Sequence, residues 1–437
     1  MSWRRSLYTF LISAIVPLAL LRLLWRSRKN AAFRQGFLER LGWVKRESQV
    51  PHLWLHAVSV GETIAISPLI KALQQDYPEH RLLISSTTIT GAATVKRLFG
   101  DRVSACYFPY DVPIFIQRFL NTIQPEFIIL METEIWPNLL ATSYQRQIPI
   151  ILANARLSKR STQRYLRFKP FIQETLSYFS GIATRSDSDA QRFKQLGADW
   201  QQIQVVGNLK FDLALSEKQI QEGLNFRKQW GENRLVWVAA STHEGEDEPL
   251  LAIHNHLIKQ FKHLLLILVP RHPERFEQVF GLCQQMSAKV QRRSDQQHFN
   301  NNTEIILGDS MGEMLSWYSS ADLVFMGGSF VNTGGHNPLE PAALAKPVLS
   351  GSFVFNFEDV FSQMEAVNAT SICHNKEQLE QVLYDLFKDK NKRLKMGLSG
   401  HTFMEQNKGA KQRLLALIAT QLKTPHFSGN PFLGFKK

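Results

Sequence analysis

The chain has little cysteine: three residues in 437, Cys106, Cys283 and Cys373, far apart and in no CxxC pairing. That excludes a disulfide framework and a cysteine-based zinc site. The three thiols are expected to be reduced and buried, in a protein whose bulk works in the cytosol. No short-period repeat is present, which excludes a solenoid. Acidic residues are the minority, 38 against 51 Lys and Arg, for a formal charge of +13. A surplus of this sign favours anionic partners such as phosphates, nucleotides or acidic lipid. Nucleic acid is disfavoured as a partner, because the basic residues are spread along the whole chain and the aromatics are not interleaved with them as stacking platforms.

What the chain does have, first, is length: 437 residues exceed what one hydrophobic core usually serves, so two domains are expected. It also has one long apolar run, "LYTFLISAIVPLALLRLLW" from Leu7 to Trp25, broken only by Pro17 and Arg22. A helix of about 20 apolar residues can cross a bilayer. The alternative is a helix lying in the interface with its arginines snorkelling. The run is followed by "LRLLWRSRKN" with no small-residue cleavage site, so a cleaved signal peptide is not expected. Arg26, Arg28, Lys29, Arg34 and Arg40 follow it closely, against Arg4 and Arg5 before it. The positive-inside tendency therefore puts the C-terminal side in the cytoplasm.

Beyond the anchor, short apolar runs alternate with longer amphipathic stretches: "HLWLHAVS", "RLLISSTT", "FIILMETE", "PIILANAR", "GIATRS" and "IQVVGNL", then "RLVWVAAST", "HLLLILVPR", "EIILGDS", "DLVFMGG" and "KPVLSG". Such spacing predicts βαβ units and two mainly parallel sheets, an α/β protein in two similar halves. The expected divisions are an anchor at 1–29, a first domain at 30–215, a polar link at Ser216–Arg234, a second domain at 235–420 and a tail at 421–437. Polar and charged residues gather directly after the strands, where ligands bind in open parallel sheets. In "VSVGE", Glu62 stands where a strand hands over to a helix; it is suited either to accept a proton or to stabilise the helix start. Glu132 and Glu134 of "METE" would point to one side if the strand continued through them. "GGSFVNTGGHNPLE" is a glycine-rich loop running into a helix, the arrangement that brings bare amides toward an anion. There Asn337, Pro338 and Glu340 could form a capped helix start, and Leu339 lies among them. Arg271, after Pro270, offers two donors to a phosphate, with His272 and Arg275 nearby. The acids of "STHEGEDE" fit no metal-ligand spacing and are explained as a capped helix start. No metal and no cofactor are expected.

Taken in order, "HAVSVGE", "METEIWPN", "NARLS", "GNLKFD", "STHEGE", "PRHPERF", "GDSMGEM" and "GGHNPLEP" resemble the 3-deoxy-D-manno-octulosonic acid (Kdo) transferases, from the anchor to about residue 420. The resemblance implies a glycosyltransferase-B fold, two Rossmann-like domains facing a central cleft behind a membrane-anchor helix. It implies transfer of Kdo from CMP-Kdo to the lipid A precursor with inversion and without a metal, at the inner membrane with the catalytic domains on its cytoplasmic side. Glu62 would be the proton acceptor, with Glu132 and Lys210 supporting the transition state. Pro270, Arg271, Met311, Gly312, Glu313, Asn337, Pro338, Leu339 and Glu340 would bind CMP, and Ser241 or His243 would assist with the sugar. A nucleotide-sugar epimerase, or another glycosyltransferase-B enzyme with a different sugar donor, is the competing reading.

Overall fold

The computed structural model describes residues 2–28, 36–45, 50–58, 60–287, 289–295 and 302–423. Part of the basic stretch after the anchor, and all of the tail beyond residue 423, lie outside the described residues. Two compact units divide the chain. One is Met1–Asp212 together with Lys408–Lys437; the other is Leu213–Asn407.

In the first unit seven strands form a parallel sheet: β1 (His52–His56), β2 (Arg81–Ser86), β3 (Ser104–Tyr107), β4 (Pro125–Met131), β5 (Ile150–Ala155), β6 (Gly181–Thr184) and β7 (Ile203–Val205), in the order 3-2-1-4-5-6-7. Helices cover both faces, so the central strands are buried throughout and read as continuous apolar runs rather than alternating ones. Alternate residues of β1 still face opposite cores. Leu53 and Leu55 join Ile66, Ile70 and Phe127, while Trp54 joins Phe119, Ile128 and Leu139.

The second unit repeats the plan with β8 (Val236–Thr242), β9 (Leu265–Pro270), β10 (Val290–Arg292), β11 (Ile305–Leu307), β12 (Leu323–Met326), β13 (Val348–Ser350) and β14 (Thr370–Ile372), all parallel, in the order 10-11-9-8-12-13-14. In each sheet the order reverses beside the first strand, between β1 and β4 and between β8 and β12. Loops at those strand ends open onto the crevice a doubly wound sheet offers to a ligand.

Three strands absent from the sequence reading, β3, β10 and β14, are short pieces near or at sheet edges, three or four residues long and in part exposed, too brief to leave a run. The expected link also differs. Most of it, Glu217–Trp230, is a helix of the second unit, whose Phe226 and Trp230 stack on Trp317 at ring-centroid distances of 5.3 and 6.4 Å. The helix Ala410–Lys423, expected to close the second domain, belongs instead to the first. Ala410, Leu414 and Ile418, four apart on one face, are fully buried in the first core.

The anchor is one helix, Trp3–Ser27, with Pro17 inside it. Its polar residues dock on the first unit. The Ser2 hydroxyl donates to Glu174 (2.7 Å), Tyr8 to Asp111 (3.0 Å) and Thr9 to the Asn138 side chain (2.9 Å). Asp111 is buried and also accepts the Asn138 and Leu139 amides, so the dock is fixed to a helix start in the core. Phe10, Leu18, Leu21 and Trp25 remain exposed.

Candidate active site

In the first unit, Glu62 lies in the first turn of the short helix Val60–Ala65, directly after β1. It is half-buried, and one carboxylate oxygen accepts the Val58 amide at 2.9 Å. That bond holds the turn closed. It also aims the carboxylate at the strand end, so the structural and chemical readings of this residue share one geometry.

Glu132 does not continue β4. Its backbone is left-handed (φ +59°), a conformation uncommon outside glycine and concentrated at functional turns. The alternation expected for Glu132 and Glu134 therefore does not apply, and each finds its own partners. Arg185, after β6, pairs with Glu132 at 2.5 Å. Glu134 accepts the Trp136 indole N–H (2.7 Å) and approaches the buried His56 ring at 3.4 Å. Lys210 follows β7 in a 3-10 turn and is half-buried, with Asn208 capping its amide at 3.1 Å. Asn154, also left-handed (φ +52°), ties these loops together. Its carbonyl accepts from Arg185 (3.3 Å) and its side chain accepts the Leu209 amide (3.3 Å). Asn154 and Arg185 were not singled out from the sequence; their signal was the "NARLS" and "GIATRS" segments, which run across the ends of β5 and β6.

In the second unit, Pro270 ends β9 and is buried, and Arg271 is exposed with its amide held by the Thr242 carbonyl (3.0 Å). Arg275 is neutralised by buried Asp247, which also accepts the Thr242 hydroxyl at 2.6 Å. Met311 and Gly312 are exposed in the turn after β11. The Gly312 carbonyl accepts from Gln219 on the Glu217–Trp230 helix. Glu313 points away into a cation: Arg293 donates to it at 2.8 and 3.1 Å and also reaches Glu222 at 3.2 Å. Burial raises the Glu313 pKa, but the Arg293 and Ser310 hydrogen bonds more than offset it, for a net lowering. The turn thus exposes its backbone at Met311 and Gly312, while the Glu313 carboxylate is taken up by Arg293.

At the glycine-rich loop the expected capping box is absent. Asn337 accepts the Leu339 amide at 3.2 Å, but the helix Leu339–Ala343 is capped by Pro338, and Glu340 makes no hydrogen bond among the described residues. Burial raises the pKa of that half-buried carboxyl. The amides earlier in the loop are not bare. Glu246, fully buried, accepts from Gly328 (2.7 Å), Ser329 (3.0 Å), Phe330 (2.9 Å) and His243 (2.8 Å). The acids of "STHEGEDE" are therefore not merely a helix cap; one is the internal anion that shapes the loop. Ser241, left-handed at φ +56°, bulges the end of β8 beside it. Among the described residues no group of three His, Cys, Asp or Glu is arranged to hold a metal ion.

The family model described as 3-Deoxy-D-manno-octulosonic-acid transferase (kdotransferase) matches residues 35–213, and that for glycosyl transferases group 1 matches residues 251–402. The chain is 40% identical to the 3-deoxy-D-manno-octulosonic acid transferase of Haemophilus influenzae, over 96% of this chain and 99% of that protein. It is 33% identical to the enzyme of the same description from Bordetella pertussis, over 94% and 98%. Among solved structures it is similar to the UDP-GlcNAc 2-epimerase from Neisseria meningitidis bound to UDP-GlcNAc, at 13% identity and TM-score 0.55, over 84% of this chain and 100% of that one. At that identity the likeness is one of fold alone.

Proposed function

The chain belongs to the 3-deoxy-D-manno-octulosonic acid (Kdo) transferases, and from that premise we propose that it moves Kdo from CMP-Kdo to the lipid A precursor, with inversion, in lipopolysaccharide synthesis. The observation that carries the proposal is the position of the motifs. Glu62 and Glu132 follow β1 and β4 at the reversal of the first sheet, and Arg271 and the 337–340 segment follow β9 and β12 around the reversal of the second. In this reading Glu62 takes the proton of the acceptor hydroxyl, which is too weak a nucleophile unaided. Glu132, held by Arg185, and Lys210 support charge in the transition state. Arg271 grips phosphate, the Met311–Glu313 backbone reads cytosine, and Glu340 accepts the ribose hydroxyls alongside Asn337, Pro338 and Leu339. Mass spectrometry of the lipid formed from CMP-Kdo and a tetra-acylated lipid A precursor tests this. Product heavier by whole Kdo units is expected. Nucleotide release without lipid, or an epimerised sugar nucleotide, would favour the epimerase reading instead.

We also propose that the anchor lies in the inner-membrane interface on the cytoplasmic side rather than crossing the bilayer. Both of its ends are tied to the same unit: Ser2 at its N-cap with Tyr8 and Thr9 in its first turns, and after it Glu39, which accepts the Tyr107 amide (2.7 Å), and Arg40, which donates to the Thr87 carbonyl (2.9 Å). A crossing helix of this length, about 37 Å, would force the chain back through hydrocarbon with Arg28, Lys29 and Arg34 in it and its backbone unsatisfied. Lying flat, the helix turns Phe10, Leu18, Leu21 and Trp25 into the acyl boundary.

A further inference from the structure

We propose that His243, His336 and Arg271 form the site that receives the phosphate of the departing cytidylate, and that the imidazole pair takes up one proton as that phosphate gains charge. The inference rests on the CMP reading above and deepens it. His243, after β8, and His336, in the glycine-rich loop, meet at 2.9 Å through their Nε2 atoms, with the rings 12° from parallel. At that distance one nitrogen donates and the other accepts, so the pair shares a single proton along the contact. His272 stands edge-on to His243 at 5.3 Å, and the exposed Arg271 is near enough for its charge to act on both His243 and His336.

The charges facing the pair come from two segments. From the end of β9 and the turn after it come Arg271, His272, with Glu274 at 3.9 Å, and Arg275; from the start of the helix after β8 come Glu246 and Asp247. Arg275 is taken by Asp247, and Glu246 is spent on four backbone amides. Glu274 faces His272 and not the pair, so the fixed charges left facing the pair are Arg271 and Arg275 against Glu246 and Asp247, two positive and two negative. Burial, then the neighbouring His243, Arg271 and His272, push the His336 pKa down to about 4, and burial lowers that of His243 as well, so the unliganded pair disfavours an added proton. An arriving dianion makes that balanced site negative and favours the charged imidazole.

The need arises in the reaction itself. The bond from the anomeric carbon to the phosphate oxygen breaks, and the acceptor oxygen bonds to that carbon as its proton passes to the Glu62 carboxylate. The electron pair leaves on the phosphate, turning a monoanionic diester into a dianionic monoester. The proton that enters the imidazole pair comes from solvent and returns when CMP departs.

The test is calorimetric titration of CMP into the full-length protein in detergent at pH 7.5, in two buffers of different ionisation enthalpy. CMP is already a dianion there, since its second pKa is about 6, so any proton taken up goes to the protein. Uptake approaching one proton per CMP is expected, with affinity falling by up to about tenfold per pH unit above neutrality. Cytidine should bind without uptake. His336→Gln and His243→Gln should each abolish the uptake and weaken CMP more than about tenfold, one unit of binding free energy of 1.4 kcal/mol. His272→Gln should retain it, and thermal melts verify the fold of each variant. CMP binding by the parent without uptake, uptake with cytidine, or uptake that survives both substitutions would overturn the inference. Absence of CMP binding by the parent would overturn the nucleotide reading itself.

Discussion

Glu246→Gln tests the loop that the second unit builds around a buried carboxylate. Gly328 and His243 donate to one oxygen and Ser329 and Phe330 to the other, all at 2.7–3.0 Å, with the side chain fully buried. A glutamine keeps the volume but offers one acceptor; its NH2 must face two N–H donors in either orientation. Two charge-assisted bonds are lost at about 1.5–3 kcal/mol each, so the substitution should cost about 3–6 kcal/mol before relaxation. For a unit of this size about 2–4 °C of Tm accompanies each kcal/mol. The loop is also the approach to Asn337–Glu340, so its loosening should weaken CMP by more than about tenfold, the 1.4 kcal/mol step. Hydrogen exchange of the peptide spanning Gly328–Phe330, a melt, and a CMP titration read the three consequences. Parent-like protection, Tm and CMP affinity together would refute the view that this carboxylate shapes the nucleotide loop.

Glu62→Gln should lower transfer by about a hundredfold to ten-thousandfold, the usual share of a general base, with CMP affinity unchanged; near-normal turnover would leave Glu62 as a turn brace alone. Arg271→Lys and Glu340→Ala should weaken CMP, and unchanged titrations of both would place the nucleotide elsewhere. Acid should destabilise the second unit. The His254 and His336 pKa values in the folded protein are pushed down to about 4, in each case chiefly by burial. The folded state thus binds fewer protons than the unfolded one between pH 6.5 and 4, so each contributes stability that is present above that window and lost through it, by as much as about 3 kcal/mol; a denaturation series at pH 7, 5.5 and 4 that stayed flat would contradict this. For the anchor, Ser6→Cys should resist an impermeant maleimide outside intact spheroplasts and react after permeabilisation, whereas labelling from outside would mean that the helix crosses. Removing residues 1–28 should leave turnover on detergent-dispersed acceptor and reduce it on vesicles.

The sequence by itself determined the parts that depend on neighbours along the chain. Buried parallel strands must be continuous apolar runs, so β1, β2, β4, β5, β8, β9 and β12 were legible, as were the polar residues directly after them. The family motifs added roles for Glu62, Lys210 and Arg271 that spacing does not carry. What the tertiary structure decided is non-local. Glu246 meets amides 82 to 84 positions away, and nothing near "STHEGEDE" marks it as the partner of a glycine-rich loop. Asn154 reaches Leu209 across 55 positions, and Asp212 holds the start of the Ala410–Lys423 helix through Gly409 and Lys411, nearly 200 positions on. The helices Glu217–Trp230 and Ala410–Lys423 have polar and apolar faces that predict a helix but not which core receives it. The anchor is the clearest case: its hydropathy marks a long apolar helix, and it is three hydrogen bonds from Ser2, Tyr8 and Thr9, not its composition, that hold its N-terminal part to the first unit. Periodicity records which face of an element is apolar, whereas the partner of that face is chosen by long-range packing, which no local pattern encodes.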